Sequence, residues 1–189
     1  MKKQELRQLY KEKRKAIPAK DKLKWDDLML LQFQKLGFGN VNTLLSYWPM
    51  DEMGEPDTHL FSRYMRHMVP GLRVAYPVAD FANIEMNAVL TNDDTDYHTG
   101  ISGITEPTEG EQLDPHIIDM IFVPLLAFSQ QGFRVGYGKG FYDKYLALCR
   151  KDVATIGFSY FDPVDKIDDA AQFDVPLNIC ITPGKTYEF

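Results

Sequence analysis

IFVPLLAFSQQGFRVGYGKGFYDKY, residues 121–145, sets an apolar run, a glycine-rich turn and an amphipathic segment end to end. Ile121 to Leu126 has the length and composition of a buried strand. The turn carries Gly132, Gly136, Gly138 and Gly140, with Arg134 and Lys139 among them, and the next segment opens with Phe141, Tyr142 and Asp143. No acidic residue falls between Leu125 and Tyr142, although the chain has a net charge of −6. A strand, a cationic glycine loop and a helix start together make a device for holding an anion.

The glycine pattern at 136, 138 and 140 is G-x-G-x-G, not the G-x-G-x-x-G of dinucleotide folds. It is not a P-loop either. Counting back from Gly138-Lys139, the required glycine position holds Phe133, and Gly140 stands where a magnesium-binding Ser or Thr would be. Glycines also serve plain tight turns, by supplying positive φ. Here three alternate glycines leave one edge free of side chains, so backbone N–H groups can approach a phosphate. Arg134 can fork onto its oxygens, and Lys139 adds a point charge.

Outward from this stretch, 189 residues fit one domain, 1–189, with 44% hydrophobic and 25% charged residues. The expected class is α/β, a Rossmann-like layered fold with a mainly parallel sheet flanked by helices. Residues 3–15 read as a helix with Lys3, Arg7 and Arg14 on one face, which on pattern alone is a solvated basic face. A second helix is expected from Lys20 to Leu36, then a strand from Val41 to Trp48. The loop PMDEMGEPDT follows, and a helix from His59 to Met68 starts after Pro56, Asp57 and Thr58. Strands are expected at Leu72–Val78 and Ile84–Leu90, and a long polar excursion over 91–115 marks function. Phe141–Arg150 reads as a helix, and Val153–Phe158 and Asn178–Thr182 as further strands. Strands alternating with helices imply βαβ units.

Other chemistry finds little support. The four histidines have no metal-ligand spacing, and there is no G-x-S-x-G. Cys149 and Cys180 read as reduced packing residues of a cytoplasmic protein. No secretory signal or apolar membrane span is expected, and the acidic balance argues against nucleic-acid partners. Asp143, beside a polyphosphate, is a candidate for holding Mg²⁺, which takes one or two carboxylates plus phosphate oxygens. Its companion could be Asp174, Asp165, Asp168 or Asp169. The set points to phosphoryl transfer, where a protein mainly positions and neutralises charge.

These residues resemble a known family. VPLLAFSQQGFRVGYGKGFYDKYL is similar to the signature of the 5-formyltetrahydrofolate cyclo-ligases, also called methenyltetrahydrofolate synthetases. KQELR at Lys3–Arg7, SYWPMDEMGEPDT, ITEP at 104–107 and FDVPLN at 173–178 resemble the other family elements in order. The resemblance implies a fold related to ribose-5-phosphate isomerase and CoA-transferase domains. It also implies ATP- and Mg²⁺-dependent closure of 5-formyltetrahydrofolate to 5,10-methenyltetrahydrofolate by a monomer acting on small molecules. Lys3, Arg7, Arg134, Gly136, Tyr137, Gly138, Lys139, Gly140, Phe141 and Tyr142 would contact ATP, with Arg134 and Lys139 catalytic. Met50, Glu55, Tyr137 and Phe141 would hold the folate, and Asp143 with Asp174 the metal. Two departures stand out: the acidic loop is long, so Glu52 competes with the favoured Glu55, and Phe173 replaces a histidine common in the family. The competing readings are a non-catalytic folate and nucleotide binder, or a sugar-phosphate isomerase or CoA-transferase-like activity.

Overall fold

The computed structural model describes residues 1–189. Two helices open the chain, α1 (Lys3–Lys15) and α2 (Ala19–Phe33), separated where Pro18 breaks the backbone ladder. Strand β1 (Thr43–Leu45) leads through the loop of residues 49–57 to α3 (Thr58–Met68), whose N-cap Asp57 accepts the His59 N–H at 3.0 Å. Then come β2 (Arg73–Asp80), β3 (Glu85–Thr91), β4 (Tyr97–Thr99), β5 (Thr105–Pro107) and β6 (Gln112–Leu113). The remainder is β7 (Met120–Phe122), β8 (Ala127–Phe128), β9 (Arg134–Val135), α4 (Phe141–Leu146), β10 (Ala154–Phe158), β11 (Ile179–Ile181) and β12 (Thr186–Glu188).

Eight strands form one sheet in the order β12-β11-β10-β7-β1-β2-β3-β6. Its five central strands, β11, β10, β7, β1 and β2, run parallel, and the pairs at both edges are antiparallel. Alternation along each strand splits the core into two layers. Leu44, Val74, Phe122 and Phe158 face α2 and α3, meeting Phe33 and Phe61. Leu45, Ala75, Ile121 and Cys180 face the other way, toward Tyr145 and Leu146 of α4. Stacking of Phe61 on Phe158, at 3.9 Å between ring centroids, seals the first layer. Helix α1 lies apart, packing Leu6 and Tyr10 on Leu126, Ala127 and Val135.

Several expectations need correction. β1, α3 and β2 form an expected βαβ unit, but β3 returns on β2 as an antiparallel hairpin from Val74↔Thr91 to Asp80↔Glu85. No helix separates them, and the Asp80 carboxylate accepts the Ala82 and Asn83 N–H groups to close the turn. The excursion over 91–115 contains the hairpin of β4 and β5 and the edge strand β6. Glu106 ties that hairpin to β2 by accepting the Ala79 N–H at 2.7 Å. Helix α4 stops at Leu146, because the Leu148 and Cys149 amides bond three residues back and tighten the last turn. Strand β1 spans three residues rather than eight, and the chain beyond it leaves the sheet to build a cleft. The apolar run after β7 likewise feeds a small hairpin of β8 and β9 before the glycines.

Candidate active site

β9 delivers Arg134 to the start of the glycine loop. Arg134 is buried, and its fork is held open by two partners: the Val175 carbonyl at 2.6 Å and the Asp143 carboxylate at 3.0 Å. Asp143 also accepts the Val175 N–H at 3.2 Å. The same oxygen takes both bonds, so its second oxygen has no partner. Lys139 is exposed and makes no hydrogen bond or ion pair. The loop thus presents one fixed cation and one free one.

Gly138 has φ +95°, and a Cβ there would lie 3.1 Å from Cζ of Arg7. The space left by its missing side chain is therefore taken by the Arg7 guanidinium, whose Nε donates to the Gly136 carbonyl at 2.9 Å. Lys3 of α1 donates from Nζ to both oxygens of Asp174, at 2.6 and 2.5 Å. Burial by itself raises the Asp174 carboxyl; the Lys3 and Ala171 hydrogen bonds and the nearby charges outweigh it and hold the group below its usual value. Arg14, in the last turn of the helix, is 3% exposed and donates to the Tyr137 hydroxyl and the Leu125 carbonyl. The solvated-face reading of α1 is therefore overturned. The face is docked on the glycine loop, and its spacing resembled a surface only because the loop itself is polar.

The loop after β1 supplies the other wall. Glu55 is 2% exposed. One of its oxygens accepts the Tyr137 hydroxyl at 2.5 Å and the other the Met50 N–H at 2.8 Å. Burial raises its pKa, opposed by these hydrogen bonds and by Arg14 and Lys22. Glu52, by contrast, is exposed. Tyr142 has a buried hydroxyl with no partner, and Phe141 meets Phe81 edge to face at 5.2 Å.

One cleft of about 700 Å³ joins these two walls, and every residue expected at the site lines it, while Arg14 lies behind the lining. The cleft lies beyond the carboxyl ends of β1 and β7, where open parallel sheets place ligands. The structure adds Trp48, Phe81, Ile104 and Glu106, which were not expected there. Pro49 next to Trp48 was the one local hint that the chain turns into a cleft at that point. Phe81 at a hairpin tip carried no signal, because nothing in its neighbours fixes where the hairpin leans.

The 5-formyltetrahydrofolate cyclo-ligase family model matches residues 1–183. The cyclo-ligase of Mycoplasma genitalium is 40% identical over 70 residues, 36% of this chain and 42% of that protein. The Escherichia coli K12 cyclo-ligase is 30% identical over 73 residues, 38% of this chain and 40% of that protein. The chain thus spans about two fifths of the length of the curated relatives it matches. The NMR structure of Aquifex aeolicus 5,10-methenyltetrahydrofolate synthetase superposes with a TM-score of 0.82 at 26% identity, covering 100% of this chain and 93% of that one. The synthetase of Mycoplasma pneumoniae shares the fold, with a TM-score of 0.77 at 24% identity, covering 97% of this chain and 99% of that one.

Proposed function

The chain belongs to the 5-formyltetrahydrofolate cyclo-ligase family, and on that premise we propose that it converts 5-formyltetrahydrofolate and ATP to 5,10-methenyltetrahydrofolate, ADP and phosphate. The observation that carries the reading is a cleft with two unlike halves. One half is cationic, with Arg7, Arg134 and Lys139; the other is aromatic and apolar around the buried carboxylate of Glu55. A polyphosphate suits the first, and a flat ring bearing N–H donors suits the second.

A formamide carbonyl is a poor electrophile with a poor leaving group. Transfer of the γ-phosphoryl group to the formyl oxygen forms an O–P bond and breaks the bond to the β-phosphate oxygen, releasing ADP. The N5 lone pair then makes an iminium phosphate. N10 attacks its carbon, the C–O bond breaks, phosphate leaves, and N10 loses its proton. Arg134, already fixed by Val175 and Asp143, needs no reorganisation to meet charge on the transferring group. Lys139 is free to follow that charge as it moves. Glu55 retains lone pairs beyond the two bonds it accepts, enough to orient ring N–H groups. Glu55, rather than exposed Glu52, is the acid we assign to the folate.

No three His, Cys, Asp or Glu side chains converge as a cage. The free oxygen of Asp143 nonetheless fits Mg²⁺ that draws its remaining ligands from phosphate and water, and Asp174 would join it once Lys3 turns from its carboxylate. When bound, the ion would supply charge neutralisation on the polyphosphate. The test is direct: protein, 5-formyltetrahydrofolate and MgATP together should develop the near-ultraviolet absorbance of the methenyl product, and omission of ATP should abolish it. No product beside an active cyclo-ligase control would reject the assignment. Tight folate binding without turnover would favour a binding module instead.

A further inference from the structure

We infer that Arg14 is a positioning residue for the folate half of the cleft: its guanidinium fixes the Tyr137 hydroxyl on the Glu55 carboxylate and so holds the loop of residues 50–55 against the glycine loop. The inference rests on the folate role given to Glu55 above. Arg14 sits in the last turn of α1 and touches Gly54 and both ends of the Leu125–Tyr137 stretch. Nη1 donates to the Tyr137 hydroxyl at 3.1 Å, and Nη2 donates to the Leu125 carbonyl at 2.5 Å. Its stem lies on Gly54, where a Cβ would come within 3.1 Å of Cγ. Gly54 has φ +60°, so the turn that carries the loop back to Glu55 is shaped around the Arg14 stem.

The hydroxyl of Tyr137 has one proton. With Arg14 donating into its lone pair, that proton is directed at Glu55, where the bond measures 2.5 Å. Arg14, Tyr137 and Glu55 therefore form an ion pair bridged by a neutral phenol. Arg14 of α1 and Lys22 of α2 are the two cations acting on Glu55. Tyr47 after β1, Tyr137 of the glycine loop and Tyr142 of α4 face its carboxylate as neutral hydroxyls, and Tyr160 after β10 donates to its main-chain carbonyl. Burial favours a proton on Glu55, and Arg14 opposes this. Without Arg14 the carboxylate would take up a proton at higher pH, and the ring N–H donors of the substrate would lose their acceptor.

The experiment compares wild type, Arg14→Gln and Arg14→Lys by steady-state kinetics from about pH 6 to 9, with amide hydrogen exchange on each. Arg14→Gln should raise the KM for 5-formyltetrahydrofolate about tenfold or more, with a much smaller change in the KM for ATP. The acid limb of folate KM should move toward neutral pH in Arg14→Gln and stay near its wild-type place in Arg14→Lys, which keeps the charge but not the fork. Exchange should quicken in residues 50–55 and 136–140 and stay unchanged in α3. An unaltered folate KM and acid limb in Arg14→Gln would overturn the inference, as would equal losses for both substrates. If wild type lacks cyclo-ligase activity, the folate reading fails by itself. The exchange arm still decides the clamp, and unaltered exchange in residues 50–55 of Arg14→Gln would reject it.

Discussion

Two residues of the glycine loop region separate chemistry from stability. Lys139 is exposed and unpartnered, so Lys139→Ala should lower turnover at least about tenfold, about 1.4 kcal/mol of barrier, with an unchanged melting temperature. Asp143→Ala should lower turnover as much and also lower the melting temperature, because it strips the buried Arg134 of its anion. Asp143→Asn, which keeps an acceptor, should recover stability before activity. Steady-state kinetics beside thermal unfolding checks all three. Arg134 and Lys139 were legible in the sequence because they interrupt a glycine run that has no acid near it. Arg14 was not. Its seven-residue spacing from Arg7 places both on one helical face, but nothing in that spacing says whether the face meets solvent or a loop more than a hundred residues away.

At the scale of elements, local rules carried the helices and the parallel centre of the sheet but not its antiparallel edges. α1 was legible from its apolar period, and α3 from Pro56 and the Asp57 cap. Both are interactions within one stretch of chain. The antiparallel β2 and β3 were visible as strands, but their mutual direction is set by the Asp80 turn, which reads as polar residues like any loop. The β8–β9 hairpin escaped notice because each of its strands is two residues long, too short to show alternation. Strand β10 offers a test of packing. A Cβ on Gly157 would stand 2.4 Å from Leu125 Cδ2 and 2.8 Å from Leu177 Cδ1. Gly157→Ala should therefore destabilise the protein by about 1–3 kcal/mol, read from the denaturant midpoint. A neutral result would mean that Leu125 moves aside, and Arg14, which bonds the Leu125 carbonyl, should then show altered exchange at that position.

Across the whole molecule, buried Asp26 links α2 to the chain beyond β10, accepting the Tyr160 hydroxyl at 2.7 Å. Burial raises its pKa from 3.8 to about 6, against the opposing Tyr160 hydrogen bond. A folded-state pKa above the unfolded one means the native state binds the proton more tightly. Asp26 therefore contributes stability that is present below about pH 4 and is lost as pH rises through about 6, up to about 3 kcal/mol. Asp26→Asn keeps the acceptor and removes the titration. Its melting temperature relative to wild type should rise between about pH 5 and pH 7.5. The α/β class was legible from the alternation of apolar segments. The cleft was legible only through the family resemblance, since no local pattern joins residues 3, 55, 134 and 174.

That dispersion has a consequence for how the chain becomes active. Lys3 meets Asp174 across 171 residues, Arg7 meets Gly136 across 129, Arg14 meets Leu125 across 111, and Tyr137 meets Glu55 across 82. Helix α1 meets partners more than a hundred residues further along the chain, and long-range closures of this kind form late in folding. A half-folded chain therefore holds neither the docked glycine loop nor the Glu55 wall, and the cleft arrives in a single step with the finished fold.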